Sequence, residues 1–147
     1  MGLWDGFRVQ KLLHEIKDPD PKTRIEAVDS LGETGDIRAV EPLIQAMQEK
    51  ENAGILQARM IIVLGRLQNK KATEILLRVV YGKVDVVPFS NMAKLRAIES
   101  LGLIGDERAI RPLLNFLKRI RERESSSKGF EIPSHRLQEK IPNPSRR

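Results

Sequence analysis

One phrase in this chain is spoken twice. Residues 20–47 read D-P-K-T-R-I-E-A-V-D-S-L-G-E-T-G-D-I-R-A-V-E-P-L-I-Q-A-M, and residues 90–117 repeat them at an offset of 70 with ten of 28 positions identical. The identical pairs include Ala27/Ala97, Ser30/Ser100, Leu31/Leu101, Gly32/Gly102, Gly35/Gly105, Asp36/Asp106, Arg38/Arg108 and Pro42/Pro112. A fainter copy lies between them, anchored by Leu64-Gly65, Asn69, Ala72 and Leu76, so that successive spacings are 33 and 37 residues. Internal periods of this size are the mark of stacked repeats, in which one unit cannot bury its apolar face alone and leans on its neighbours.

Within each copy the pattern is that of two helices. Asp18-Pro19-Asp20-Pro21 is a helix-start signal: Asp20 can accept the free amides of the first turn, and Pro21 fits where no amide is needed. Ile25, Val28 and Leu31 fall on one side of the first helix, with Arg24, Glu26, Asp29 and Glu33 facing water. Gly35-Asp36 ends that helix and caps the next, glycine supplying the left-handed residue and Asp the N-cap; Asn69 and Asp106 take the same place later. The second helix is expected over residues 37–49, with Ile37, Val40, Leu43, Ile44 and Met47 inward and a tight first turn or slight bend at Pro42, repeated at Pro112.

The second copy assigns its helices to 55–67 and 70–81. The first of these is apolar almost all round over Met60–Leu64, as suits a layer covered on both sides. The third uses 91–104 and 107–121. Gly32, Gly65 and Gly102, late in each first helix, predict close approach between helices, because glycine there costs roughly 1 kcal/mol against alanine.

Ahead of the repeats, residues 7–17 read as a half-unit that caps the stack, with Phe7, Leu12, Leu13 and Ile16 on its apolar side and Trp4 packed beside them. The competing reading makes Trp4 and Phe7 an anchor for a membrane or partner. Residues 82–90 hold the four extra residues of the longer spacing and are apolar for a loop (Val84, Val86, Val87, Phe89), which suits a segment folded back on the core or an exposed contact loop. From Glu122 the pattern stops. The expected organisation is a repeat domain over 1–121 (cap 7–17, repeats about 20–49, 53–81 and 90–121) followed by a basic, mobile tail over 122–147.

Composition narrows the function. With no cysteine, disulfides and thiolate metal sites are excluded. Aromatics make up only 4%, so the core is aliphatic and suits thin helical layers. No apolar run approaches the roughly 20 residues of a membrane span. The start lacks a signal-peptide pattern, and Gly6 stands where a myristoylation motif needs Ser or Thr, so a cytoplasmic protein is the expectation. The net charge of +6 is uneven: residues 1–106 hold 15 Lys+Arg and 15 Asp+Glu, and residues 107–147 hold 11 and 5.

The quoted phrase and its echo resemble the HEAT-like repeats of the phycobilisome-lyase type, over about residues 18–119. The resemblance implies an all-α, short right-handed solenoid of antiparallel helix pairs, with the second helices lining a concave face. It implies that most members are scaffolds or partner-binding modules. Some relatives are bilin lyases or their subunits, and others hydroxylate deoxyhypusine at a di-iron site. That iron site needs paired His-Glu dipeptides, and His14-Glu15 is the only one here. Arg24 matches the arginine common early in the repeat, with Gln57 and Lys94 as its counterparts.

Chemistry is not expected. The histidines, His14 and His135, fall in the cap and the tail, no thiol exists as nucleophile, and Ser30 and Ser100 recur as packing residues. No cofactor or metal is expected. What remains is surface. Non-core positions of the second helices form three rows: Arg38, Lys71 and Arg108; Glu41, Glu74 and Arg111; Gln45, Arg78 and Asn115. Lys118, Arg119, Arg121 and Arg123 extend the basic side.

These rows read either as a solvated face or as a groove for an acidic segment of another protein. A nucleic acid is the alternative partner through the last helix and tail, although glutamates interrupt the rows and stacking aromatics are missing. A subunit role in a bilin-lyase-type complex rests on the family resemblance alone. A membrane partner is not expected.

Overall fold

The computed structural model describes residues 3–82 and 91–127. The apolar loop read at 82–90 therefore falls, from residue 83 on, outside the described residues, as does the tail from residue 128. The chain divides into two units, residues 1–113 and 114–147.

In the first unit, α1 (Leu3–Glu15) packs on α2 (Pro21–Thr34), α2 on α4 (Ile55–Arg66), and α4 on α6 (Asn91–Ile104). A second layer holds α3 (Val40–Ala46), against α4, and α5 (Thr73–Tyr81), against α6. The result is a short all-α solenoid of helix pairs, and no strand occurs among the described residues. The core is aliphatic: Val28, Leu31, Leu43, Met60, Ile61, Leu64, Leu76 and Val79 are all fully buried. The last helix, α7 (Ile110–Ser127), begins in this unit. In the second unit it continues past Arg121, where the repeat pattern ends, so residues 122–127 are helical rather than tail. No helix among the described residues is long and apolar enough to cross a membrane.

The expected caps are present. Asp20 accepts the Thr23 amide and hydroxyl at 3.2 and 2.9 Å, with Pro21 opening α2. Gly35 and Gly105 stand at φ 64° and 66°; Gln68 takes the same left-handed place in the middle copy at φ 50°, where a side chain is tolerated at a cost. Each second helix starts with a 3₁₀ turn, Ile37–Ala39, Lys70–Ala72 and Glu107–Ala109. Pro42 and Pro112 then fall in the first turn of α3 and α7, where a missing amide breaks no helical bond.

Several expectations are corrected. α1 starts at Leu3, and its buried face is Val9, Leu12 and Ile16, with Leu13 half-buried. Trp4 (83% exposed) and Phe7 (66%) lie on the other side, their ring centroids 6.4 Å apart. At roughly 100° per residue, both sit more than 130° round the helix from Val9, so neither can share its face. Ile37, expected inward, is exposed because the 3₁₀ turn winds differently from an α-helix. α3 ends at Ala46 rather than Glu49. The buried amides of Asn52 and Gln57 donate to the carbonyls of Ala46 (2.8 Å), which also accepts the Glu49 amide at 3.2 Å, and Met47 (2.9 Å), so the helix-end acceptors are taken up. Arg24, expected to face water, is half-buried; it donates to the carbonyls of Asp18 (2.8 Å), Pro19 (3.2 Å) and Glu51 (3.4 Å) and so ties two connections together.

Glycine marks the contact between first helices in two layers of three. A Cβ on Gly32 would lie 3.0 Å from a Val63 methyl, and one on Gly65 would lie 2.5 Å from Ser100 Oγ and 2.7 Å from Ser100 Cα. Ser100 Oγ meanwhile donates to the Ile61 carbonyl at 2.8 Å. Among the described residues Gly102 has nothing within 4 Å of where its Cβ would be, which corrects the expectation for the third copy: α6 is the last first-helix described, and no described helix packs on it there.

Candidate partner-binding surface

The surface grows out of the connection between the two helices of each repeat. Asp36, Asn69 and Asp106 each accept, through one side-chain oxygen, the amide two residues on: Arg38 at 2.9 Å, Lys71 at 2.9 Å and Arg108 at 3.0 Å. The cap thereby sets where each cation of the first row emerges.

In the first and third copies that cation folds back on its own cap. Arg38 Nε lies 3.0 and 3.1 Å from the two Asp36 oxygens. Arg108 makes the same fork on Asp106, at 3.2 and 3.1 Å from Nε and 2.7 Å from Nη2. The guanidinium beside each holds the Asp36 and Asp106 carboxyls below the ordinary carboxylate range. In the middle copy the cap is the neutral Asn69, so the Lys71 ammonium has no ion-pair partner among the described residues.

These caps couple folding to acid. A depressed carboxyl adds stability that is complete above its unfolded value, about 3.9, and is lost as pH falls through that value toward the folded one. Asp20, lowered chiefly by the Thr23 hydroxyl, acts in the same sense as Asp36 and Asp106. Urea-unfolding stability is therefore expected to be level from about pH 7 to pH 5 and to drop below about pH 4. Asp106→Asn should retain the cap, as Asn69 does, and show a shallower acid drop than the parent; parallel pH curves for the two would contradict this.

Of the positions read as partner-binding, Lys71, Glu74 and Arg108 come together in one groove of about 490 Å³, completed by Asn69, Lys70, Thr73 and Leu77. Glu74 pairs along its helix with Arg78 at 3.0 Å. Arg38 does not join them; it borders a shallower cleft of about 300 Å³ with Gly6, Phe7 and Gln10 of α1. Gln45 donates to Glu41 at 3.4 Å, so that pair answers itself. Arg111 is exposed in the first turn of α7, while Asn115 and Lys118 are exposed in the second unit. Lys70 and Leu77 were not singled out from sequence. Lys70 was legible as the first half of a Lys-Lys pair, but it is an unmatched position in the other copies and falls outside the row pattern.

Helix pairs repeated at this period and joined by the same capped turn define an α-helical repeat protein, whose surface is assembled from equivalent positions of successive units. The chain belongs to the HEAT repeat family: the family model for HEAT repeats matches residues 9–87, and that for the PBS lyase HEAT-like repeat matches residues 93–119. Comparison with curated proteins finds no match.

Proposed function

We propose that this HEAT-repeat protein is a non-catalytic adaptor that takes an acidic segment of another protein into the groove beside α5. The observation that carries the reading is the charge of that groove. Lys70 and Lys71 line it together with Arg108, whose charge Asp106 already pairs, and the one carboxylate among its described lining residues, Glu74, is already faced by Arg78. Lys71 supplies an ammonium with no carboxylate partner among the described residues. Leu77 offers an apolar contact at the same place.

The test uses the intact chain as bait, with the recovered partner then purified and its affinity measured directly. Lys70→Glu with Lys71→Glu, both exposed positions, should weaken binding at least about tenfold, roughly 1.4 kcal/mol. Equal affinity for parent and variant would place the partner elsewhere. A nucleic-acid partner makes a different forecast: affinity for duplex DNA or RNA falling steeply with salt, with a slope set by the phosphates contacted.

A further inference from the structure

The layer of first helices carries a second recess, lined from α2, α4 and α6 and separate from the groove beside α5. It measures about 620 Å³, within the range of sites that enclose a ligand side chain or small molecule. Its floor is apolar, made by Ala58, Ile62 and Val63 of α4. Ile55 (73% exposed) and Met92 (53%) stand at its margin.

Three arginines surround that floor: Arg59 and Arg66 of α4 and Arg96 of α6. Their internal neutralisation is incomplete. Arg59 pairs with Asp29 at 2.6 Å, and Arg96 with Glu99, just outside the lining, at 2.8 Å. Arg66 is exposed and has no ion-pair partner among the described residues. Asp29 is the single carboxylate among the described lining residues, so with Arg59 and Arg96 paired the recess keeps the charge of Arg66 as its excess.

The order of these residues along α4 is Ile55, Arg59, Ile62, Arg66, at steps of three and four. Such steps place all four on one face, apolar and cationic in turn. Ile55 and Ile62 are seven residues apart, roughly 10 Å along the axis at 1.5 Å per residue. A chain in the polyproline II conformation covers that distance in about three residues, at roughly 3.1 Å each, and its three-residue turn brings side chains three apart onto one side.

We infer that this recess is a second docking site, for a short acidic segment of another protein, bound in the polyproline II conformation, that carries two apolar side chains about three residues apart. The apolar side chains enter beside Ile55 and Ile62, a carboxylate between them meets Arg59, and a carboxylate just beyond the second meets Arg66, with Arg96 alongside. Recession and chemistry together favour this occupant. A bilayer presents a flat face that cannot reach a floor set between helices. A nucleic acid offers phosphates for the arginines but finds no aromatic to stack on, since the floor is aliphatic. With the groove beside α5 filled independently, the chain would bridge two partners.

The experiment measures fluorescence anisotropy of a labelled synthetic peptide of glutamates interrupted by two leucines, titrated with the full chain. Binding at roughly 10–100 μM is expected, with an all-glutamate peptide at least about tenfold weaker. Ile55→Ser combined with Arg66→Glu should weaken the leucine-bearing peptide at least about tenfold. Both residues are exposed and Arg66 holds no ion pair among the described residues, so the fold is expected to be retained, which circular dichroism checks. The Lys70→Glu/Lys71→Glu variant should bind this peptide within about twofold of the parent, which separates this site from the groove beside α5. Three results overturn the inference: no binding of the leucine-bearing peptide, the same affinity in the Ile55/Arg66 variant, or stronger binding of phosphatidylserine vesicles lost in that variant.

Discussion

Alanine at Gly65 is expected to destabilise the protein by about 1–3 kcal/mol, whereas alanine at Gly102 is expected to stabilise it by up to about 1 kcal/mol. The two glycines occupy equivalent places in their repeats, so any account built on the repeat alone forecasts one answer for both. Their surroundings differ. A methyl on Gly65 would press into Ser100 at 2.5 Å from its hydroxyl, 2.6 Å from its Cβ and 2.7 Å from its Cα. A backbone atom cannot step aside as a side-chain tip can, so α4 and α6 would have to separate, loosening the Ser100 bond to the Ile61 carbonyl. A methyl on Gly102 meets nothing within 4 Å among the described residues and restricts the unfolded chain. Gly32 is intermediate, because the Val63 methyl at 3.0 Å belongs to a stiff side chain. Urea melts of the two variants decide the matter: shifts of the same sign would show that α4 and α6 do not approach as described.

Leu64→Ala should be the costliest single truncation, at about 2–5 kcal/mol out of a total of about 5–15 kcal/mol for a domain of ordinary stability. Leu64 is fully buried in α4, the helix that packs on both α2 and α6. Removing its isobutyl group opens a cavity between helices that cannot close from either side without moving the other contact. Leu103 provides the comparison within the same kind of helix. It is 53% exposed on α6, and its truncation should cost no more than about 0.5 kcal/mol. Equal costs at the two positions, measured at unchanged urea dependence, would mean that α4 is not the enclosed middle helix.

Much of this was legible from residue order. The two-fold phrase, its faint middle copy and the spacing of Asp20, Asp36, Asn69 and Asp106 place the helix starts where they are found. Those signals are local: a cap acts on amides two or three residues away, so its reach lies within the stretch being read. The apolar run Met60–Leu64 likewise announces a helix covered on both sides.

The failures share a cause. Phe7 was grouped with Leu12 by hydrophobicity, but the helix turns it away from α2. Ile37 was placed inward by α-helical phase, but its turn is 3₁₀. Arg38, Lys71 and Arg108 were read as one basic row, yet Arg38 and Arg108 are each held by the aspartate cap two residues before, leaving Lys71 distinct for a reason as small as Asn69 replacing aspartate. The recess around Ile62 went unread because its arginines come from two helices whose side-by-side placement no stretch of sequence states.

Residue order by itself determined that this chain makes helix pairs, where they begin, and that they stack, since caps and apolar period act over a few residues and a repeated thin layer has no other way to cover its oily side. Which equivalent positions are pressed, open or paired was decided only in three dimensions. Gly65 and Gly102 carry the same side chain in the same local setting, and what distinguishes them is the presence or absence of a neighbouring helix. Steric contact and charge pairing between layers depend on atoms distant in the chain, and a periodic pattern is blind to where its own periodicity stops.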